Sequence, residues 1–232
     1  AVITASHNPY QFNGIKYKPE TGSSAPTEVI ADLERRINAL TDVPPIDHRA
    51  ARELVSTYDP REAYYAQIAR MVDVNAIKEA GLRVVHECMY GSGYGYVAEL
   101  IGGGRTNVTE LHNQRNPLFG GISPEPIRPN IDSTLAFMKV GGQDLCICTD
   151  GDADRVGIID ETGRFINQLQ VFALLMLYLF EVRGMRGPVI KTVNMTAMVD
   201  KLGAEFGSRV YEVPVGFKWV APKMMETDAV LG

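Results

Sequence analysis

The chain has 232 residues, 45% of them hydrophobic, and its 23 basic and 28 acidic residues give a formal net charge of −5. This length suits one large globular domain or two to three small ones, and the acidic balance argues against nucleic acid as a partner. The longest apolar stretch, residues 171–180, is too short to span a bilayer, so no membrane partner is expected and the predicted location is the cytoplasm.

Both ends of the chain have the composition of interrupted strands. The first residue is Ala1 rather than Met, residues 1–4 resemble the end of a strand, and residues 229–232 resemble a strand that stops at its turn. This pattern favours a chain truncated at both ends.

The first predicted unit covers residues 1–56. After a loop around Ser6, residues 13–17 combine turn chemistry with a short strand, and residues 28–40 carry apolar side chains at helical spacing. Residues 41–59, which include Pro44-Pro45 and Asp47-His48-Arg49, have the composition of a linker. A domain boundary is therefore expected there.

Strands and helices alternate through the second predicted unit, residues 57–164. The predicted helices cover residues 61–80, 93–101 and 131–140, and the predicted strands cover 82–88, 106–111, 144–148 and the hairpin 156–166. Alternation of this kind predicts a mixed, mainly parallel sheet, in which ligands bind at the carboxyl ends of the strands.

The third predicted unit, residues 165–232, repeats the pattern and is incomplete. Its predicted elements are a helix at 170–183, a strand at 188–193, a helix at 195–206, a strand at 210–215, a helix at 219–227 and a terminal strand. The fold class is therefore α/β, built from consecutive small domains. The cysteines form no metal-ligand spacing and are predicted to be reduced core residues; they are Cys88, Cys146 and Cys148.

Three carboxylates follow the apolar residues 145–148 at alternate positions, as Asp150, Asp152 and Asp154. Alternate residues of an extended loop point to the same side, so these side chains can converge on one Mg²⁺. Such an ion bridges phosphate oxygens in phosphoryl transfer. A simple solvated acidic turn would leave three clustered like charges without a counter-ion, which is unfavourable.

Other functions compete for the same loop. The carboxylate spacing imitates an EF-hand, but Arg155 occupies the position where that loop needs glycine, and the predicted flanking elements are strands. In an aspartyl-phosphate phosphatase, Asp150 would be the nucleophile and Asp152 the acid/base. That alternative leaves the Ser6 segment and the third carboxylate unexplained. A non-enzymatic divalent-cation module also remains open.

A second motif, Thr-Ala-Ser-His-Asn-Pro at residues 4–9, presents the hydroxyl of Ser6 in a loop where Asn8-Pro9 favours a turn. His7 and Lys16 are the nearby groups able to move protons or hold an anion. A lysine whose pKa is lowered by neighbouring cations can act as a general base. A hydroxyl beside a metal loop predicts phosphoryl transfer.

These motifs resemble those of the α-D-phosphohexomutases, which include phosphoglucomutases, phosphomannomutases and phosphoglucosamine mutases. Residues 4–9 resemble the phosphoserine loop of that family, residues 150–155 its metal loop, and Gly216-Phe217-Lys218 its sugar-specificity loop. The resemblance implies the four-domain fold of the family, of which this chain would cover the end of the first domain, the second, and most of the third. It also implies weak Mg²⁺ binding and little mutase activity for this chain alone.

The resemblance implies site residues and a reaction. Ser6 would carry phosphate and, with Asp150, Asp152 and Asp154, bind Mg²⁺. The remaining implied roles are phosphoserine contact for Arg155, acid/base catalysis for Lys16, and substrate binding for Lys191, Gly216, Phe217 and Lys218. Phosphoserine would interconvert hexose 1-phosphate and hexose 6-phosphate through a hexose 1,6-bisphosphate, with glucose as the expected sugar and mannose or glucosamine as the alternatives.

Overall fold

The first unit is a small strand pair beside a helix. The computed structural model describes residues 1–20, 22–43, 45 and 47–232. Strand β1 (Val2–Ile3) pairs antiparallel with β2 (Ile15–Lys16), and helix α1 covers Thr27–Asn38. The intervening residues form the Ser6 loop, which is closed by a hydrogen bond from the Thr4 amide to the Gly14 carbonyl.

The segment predicted as a linker, residues 41–59, contains a short helix that was not predicted, α2 (His48–Glu53). The Asp47 side chain accepts the Arg49 amide and supplies the N-cap that starts this helix. Residues 44 and 46 of the predicted linker lie outside the described residues.

The single helix predicted at residues 61–80 is two helices, α3 (Arg61–Met71) and α4 (Val74–Glu79). Val72 adopts extended backbone angles, and the Asp73 side chain accepts the Ala76 amide as the N-cap of α4. An aspartate that bonds a nearby amide competes with continuous helix, which explains the break.

The second unit is built on a five-stranded mixed sheet with strand order β4-β3-β5-β6-β7. The strands are β3 (Arg83–Glu87), β4 (Asn107–Leu111), β5 (Leu145–Thr149), β6 (Val156–Asp160) and β7 (Phe165–Ile166), with helices α5 (Tyr96–Ile101) and α6 (Asp132–Lys139) in the connections. Strand β3 pairs parallel with β4 and β5, whereas β6 pairs antiparallel with β5 and β7. The predicted mixed sheet is confirmed.

The core on one face of this sheet fixes the end of β5. Its buried side chains are Val85, Met89, Ile131, Leu135, Met138, Cys146, Cys148 and Ile159. Full burial of one such aliphatic side chain contributes about 1.5–3 kcal/mol. All three cysteines are free and buried, as predicted. Because Cys146 and Cys148 anchor β5, the loop that follows starts from a rigid strand.

The third unit packs helices on a parallel strand pair. Its elements are α7 (Gln168–Leu177), a π-helical turn (Tyr178–Val182), β8 (Val189–Thr192), α8 (Met198–Glu205), β9 (Val210–Val213) and α9 (Phe217–Thr227). The expected terminal strand is reduced to one parallel bridge between Val189 and Leu231. Among the described residues, no helix combines the length and apolar character needed to cross a membrane.

Candidate active site

The site forms where the loop after β5 meets the loop between β1 and β2. Asp150 begins the first loop, and its Oδ1 accepts the amides of Asp154 at 2.9 Å and Arg155 at 3.0 Å. These bonds fold the loop back on itself, with Ala153 in the left-handed region at φ 60°. Asp150 is thereby held in place at the carboxyl end of the strand.

The Ser6 hydroxyl faces this loop directly. Ser6 Oγ donates to Asp150 Oδ2 at 3.2 Å across 144 residues of sequence, and His7 Nδ1 lies 3.3 Å from the same hydroxyl. Ser6 itself has φ 55°, and its amide donates to Thr4 Oγ1 at 2.8 Å. The strained turn therefore points the hydroxyl at the carboxylate.

The three loop aspartates form an oxygen-rich group. Carboxylate oxygens of Asp150, Asp152 and Asp154 all lie within 4.8 Å of one another. Asp152 Oδ1 is buried and, within the described part of the chain, has no hydrogen-bond partner. A buried carboxylate oxygen left unpaired is unfavourable, and hard oxygen ligands suit a hard divalent cation. The residues present therefore fit an ion such as Mg²⁺.

The environment separates the pKa values of two of these aspartates. Burial raises the pKa of Asp150 above its ordinary value, and the neighbouring charges of Asp152 and Asp154 add to the shift. Burial would also raise the pKa of Asp152, but hydrogen bonds from Lys16 and Thr4 outweigh it and lower that pKa. Without a cation, Asp150 is therefore more costly to ionise than Asp152.

Lys16 lies among the carboxylates rather than among cations. Its Nζ is 3.1 Å from Asp152 Oδ2 and 3.6 Å from Asp154 Oδ2. Burial would lower the pKa of Lys16, but the bonds and charges of Asp152 and Asp154 raise it. The condition under which Lys16 would be a general base, a pKa lowered by neighbouring cations, is therefore not met here, because the acidic loop stabilises the ammonium form.

We expect Lys16→Met to strengthen Mg²⁺ binding, because the ammonium of Lys16 competes with the ion for the carboxylates. The pair is partly exposed, so about a twofold to fivefold lower Kd is expected, to be measured by calorimetric titration. The matched control is Lys18→Met, which removes the same charge; within the described residues, Lys18 pairs with none of the three aspartates. Equal effects of both changes would contradict direct competition.

Glu125 is a site residue that the sequence analysis did not select. Its Oε1 lies 3.9 Å from His7 Nε2 and 3.3 Å from Arg155 Nη1, so it joins the two loops from outside. Arg155 is thereby held at the rim of the site. An isolated glutamate in a proline-rich segment has no local pattern that marks it, so only the tertiary structure reveals it.

A buried network behind the aspartate loop was also missed. Glu87 is 2% exposed and accepts the Met89 amide at 2.7 Å, His112 Nδ1 at 2.8 Å and the Thr134 hydroxyl at 2.5 Å. Met89, like Tyr90 and His112, has a positive φ. The network stabilises the strained turn at Met89 and Tyr90, which lies beside the aspartate loop.

That turn leads into a close backbone contact. A Cβ at Gly91 would lie 2.8 Å from the carbonyl oxygens of both Asp150 and Gly151, and the Ser92 amide donates to the Gly151 carbonyl at 3.0 Å. Only glycine fits at Gly91 without moving the aspartate loop.

Gly151 is where the two functional loops touch. A Cβ there would collide with the Ser6 carbonyl oxygen and would lie 3.0 Å from Pro124 Cγ. Both neighbours are rigid, so we expect Gly151→Ala to separate Ser6 from the aspartates. Misplacement of a reacting group by about 1 Å can cost about 10²-fold in rate, and we expect a loss of that order in Ser6 phosphorylation.

The control for this change is Gly141→Ala, where φ is 88° and the added Cβ meets nothing within 4 Å. It is expected to cost about 1 kcal/mol of stability through backbone strain and to leave phosphorylation unchanged. The measurements are phosphate incorporation by mass spectrometry and thermal unfolding. If Gly151→Ala retained full phosphorylation, the contact would have no role in alignment.

The residues predicted to bind substrate lie in two places. Gly216, Phe217 and Lys218 line a shallow cavity of about 370 Å³ that Lys16 also borders. Lys191 is at the end of β8, where its Nζ lies 2.7 Å from Asp200 Oδ2 and 3.0 Å from Glu212 Oε2. The structure thus brings the predicted sugar loop to Lys16, whereas Lys191 is engaged by the acidic side chains of its own unit.

Fold and site together define an α/β protein in which a serine hydroxyl faces a cluster of three carboxylates that fits a divalent cation. Three family descriptions match the chain: Phosphoglucomutase/phosphomannomutase, alpha/beta/alpha domain I at residues 1–43, domain II at residues 62–163 and domain III at residues 167–232. The chain belongs to this family, the phosphohexomutases.

Proteins similar to this chain carry different names within the family. A phosphoglucomutase/phosphomannomutase of Thermococcus kodakarensis is 31% identical over 235 residues, covering 100% of this chain and 50% of the relative. A phosphoglucosamine mutase of Carboxydothermus hydrogenoformans is 31% identical over 241 residues, covering 100% of this chain and 52% of the relative. A solved Thermus thermophilus structure, assigned as a phosphomannomutase, has a TM-score of 0.85 and 33% sequence identity. The match covers 97% of this chain and 50% of the Thermus thermophilus chain. The chain thus spans about half the length of these proteins.

Proposed function

We propose that this chain carries the phosphoserine and metal loops of a Mg²⁺-dependent phosphohexomutase, an isomerase that interconverts hexose 1-phosphate and hexose 6-phosphate. The observation that carries the proposal is the bond of 3.2 Å from Ser6 Oγ to Asp150 Oδ2. It places a nucleophilic hydroxyl on the carboxylate group best suited to hold a cation.

The metal would be held by Asp150, Asp152 and Asp154, together with the oxygen of Ser6. Their free oxygen atoms, Asp152 Oδ1 above all, are the donors that a hard cation takes. When bound, Mg²⁺ would neutralise charge on the transferred phosphoryl group. It would also offset the cost that burial and the neighbouring like charges impose on the ionised form of Asp150.

The side chains around Ser6 are arranged to move protons. As Ser6 Oγ bonds to the phosphorus of a hexose 1,6-bisphosphate, the bond from that phosphorus to the sugar oxygen breaks. The Ser6 proton passes to His7 Nδ1 at 3.3 Å, and Glu125 stabilises the resulting imidazolium. Lys16, whose pKa is raised, donates a proton to the departing sugar oxygen.

The isomerisation joins this step to its reverse. Phosphoserine gives its phosphoryl group to the free hydroxyl of a hexose monophosphate; the bond from phosphorus to Ser6 Oγ breaks and a hexose 1,6-bisphosphate forms. Lys16 takes the proton of that hydroxyl and His7 returns a proton to Ser6. The bisphosphate then turns around and passes its other phosphoryl group to Ser6, which leaves the isomeric monophosphate. Substrate binding is assigned to Gly216, Phe217, Lys218 and Lys191.

Glucose is the sugar we propose, with mannose and glucosamine as the alternatives. The names of similar proteins cover phosphoglucomutase, phosphomannomutase and phosphoglucosamine mutase. Competition between the three monophosphates for phosphate held on Ser6 would rank them. Because the chain spans about half the length of these relatives, the transfer of a single phosphoryl group, rather than full turnover, is the appropriate measurement.

The proposed function is tested by incubating the chain with glucose 1,6-bisphosphate and Mg²⁺ and locating phosphate by peptide mass spectrometry. The expected result is acid-stable phosphate on Ser6 that glucose 1-phosphate or glucose 6-phosphate removes. Hydroxylamine-labile phosphate on Asp150 would instead support the aspartyl-phosphate phosphatase. Absence of any phosphoenzyme in folded, Mg²⁺-loaded protein would reject both enzymes and leave a cation-binding module.

A further inference from the structure

A second group of potential metal ligands lies on the sheet face opposite the cysteine pair of β5. His86 and Cys88 alternate along β3 and its end, and both are 0% exposed. Glu110 lies directly opposite His86 on the parallel strand β4. Alternate residues of one strand and the facing residue of its neighbour share a face, so the three side chains meet by construction.

The distances among these side chains match a small coordination sphere. His86 Nδ1 lies 3.2 Å from Glu110 Oε1 and 3.4 Å from Cys88 Sγ, and all three ligand atoms are within 4.8 Å of one another. Ligands bound tetrahedrally at about 2.0–2.3 Å are separated from each other by about 3.3–3.8 Å. Small adjustments of the side chains therefore suffice to enclose an ion.

The group also carries a negative charge, that of Glu110, which no fixed cation neutralises within the described residues. Burial lowers the pKa of His86, which favours the neutral ring. Burial would raise the pKa of Glu110, but bonds from the Gly95 amide, Asn113 and His86 lower it, so the carboxylate is ionised. Within the described residues, the only ion-pair partner of Glu110 is His86. A largely buried anion beside a neutral imidazole and a thiol is a favourable place for a cation.

We propose that His86, Cys88 and Glu110 bind a borderline-soft divalent cation of the Zn²⁺ class, separate from the Mg²⁺ proposed at the aspartate loop. A thiolate, an imidazole and one carboxylate select Zn²⁺ or Co²⁺ over Mg²⁺, which prefers oxygen ligands alone. The two sites therefore differ in the chemistry of their donors as well as in position.

Binding would release one proton and move another. The thiol proton of Cys88 leaves to solvent as the sulfur becomes a ligand. The ring proton of His86 shifts from Nδ1 to Nε2, where Thr149 Oγ1 at 3.1 Å accepts it.

Co²⁺ serves as the spectroscopic probe, because a thiolate bound to Co²⁺ gives an intense near-ultraviolet charge-transfer band that oxygen ligands do not give. The reduced, chelator-treated 232-residue chain is titrated with Co²⁺ in excess Mg²⁺, which occupies the aspartate loop. We expect the band to saturate at about one equivalent and to disappear when Zn²⁺ displaces Co²⁺. Cys88→Ala is expected to abolish it.

The matched control is Cys148→Ala, which removes another fully buried cysteine of the same sheet and is expected to keep the band. Glu110→Gln, which preserves shape and removes only charge, is expected to weaken Co²⁺ binding at least tenfold. This variant decides the matter if Cys88→Ala does not fold. A folded wild-type chain without the band, or a band lost equally in Cys148→Ala, would overturn the proposal. Neither result depends on whether Ser6 is phosphorylated.

Discussion

Ser6→Ala is expected to lose all phosphate incorporation from glucose 1,6-bisphosphate, a fall of at least about 10³-fold. The proposed phosphoryl acceptor is Ser6 Oγ, and no other atom of the alanine can replace it. The variant also removes the hydrogen bond to Asp150, which contributes about 1 kcal/mol, so it should remain folded. Intact-protein mass spectrometry after incubation with Mg²⁺ and the bisphosphate measures the effect.

Ser92→Ala is the matched control for this experiment. Ser92 is an exposed serine whose hydroxyl bonds the Gly151 carbonyl at 3.4 Å, so it lies beside the same loop without facing the carboxylates. It should be phosphorylated on Ser6 like the wild type. Phosphate that persists in Ser6→Ala at the wild-type level would move the nucleophile elsewhere, with Asp150 as the next candidate.

Asp150→Asn is expected to reduce phosphorylation of Ser6 by about 10²–10³-fold, the usual loss when one preorganised electrostatic group is removed from a transfer site. The substitution is nearly isosteric, and the amide oxygen of asparagine can still accept the amides of Asp154 and Arg155. What disappears is the negative charge beside Ser6. Phosphate incorporation and Mg²⁺ binding, the latter measured by titration, should therefore both be reduced in a protein that is still folded.

In the absence of metal, Asp150→Asn is expected to be at least as stable as the wild type, although it loses phosphorylation. The folded pKa of Asp150 lies above its ordinary value of 3.8. A raised carboxyl pKa contributes stability below the unfolded pKa, and this contribution is lost as pH rises through the folded pKa. In a chelator at neutral pH the variant should thus unfold at the same or a higher temperature than wild type, with the difference shrinking toward pH 4.

Mg²⁺ should reverse that order. Ligand at about 100 times its Kd stabilises the folded state by about 2.7 kcal/mol, and only the wild type should gain it in full. The control is Asp144→Asn, which lies just before β5 and pairs with Arg83 at 2.7 Å, away from the cation site. It should keep the Mg²⁺-dependent rise in Tm. Equal rises for wild type and Asp150→Asn would exclude Asp150 as a metal ligand.

Most of the secondary structure follows from local pattern, and the exceptions have local causes. The strand predicted from the apolar run before Asp150 is found as β5, in which fully buried residues alternate with partly buried ones. The break between α3 and α4 and the short helix α2 were not predicted. Each depends on one aspartate side chain that bonds an amide, Asp73 and Asp47. Caps of this kind are weak signals within a longer apolar or linker-like pattern.

The amino-acid sequence by itself determined the chemistry that the chain offers: a hydroxyl in a turn at Ser6 and carboxylates at alternate positions from Asp150 to Asp154. The tertiary structure decided which of these groups meet, and with what charge. It placed Ser6 on Asp150 across 144 residues, surrounded Lys16 with carboxylates, and brought in Glu125. Spacing along the chain records only which side a residue faces, whereas a pKa and a contact depend on neighbours that distant segments supply through packing.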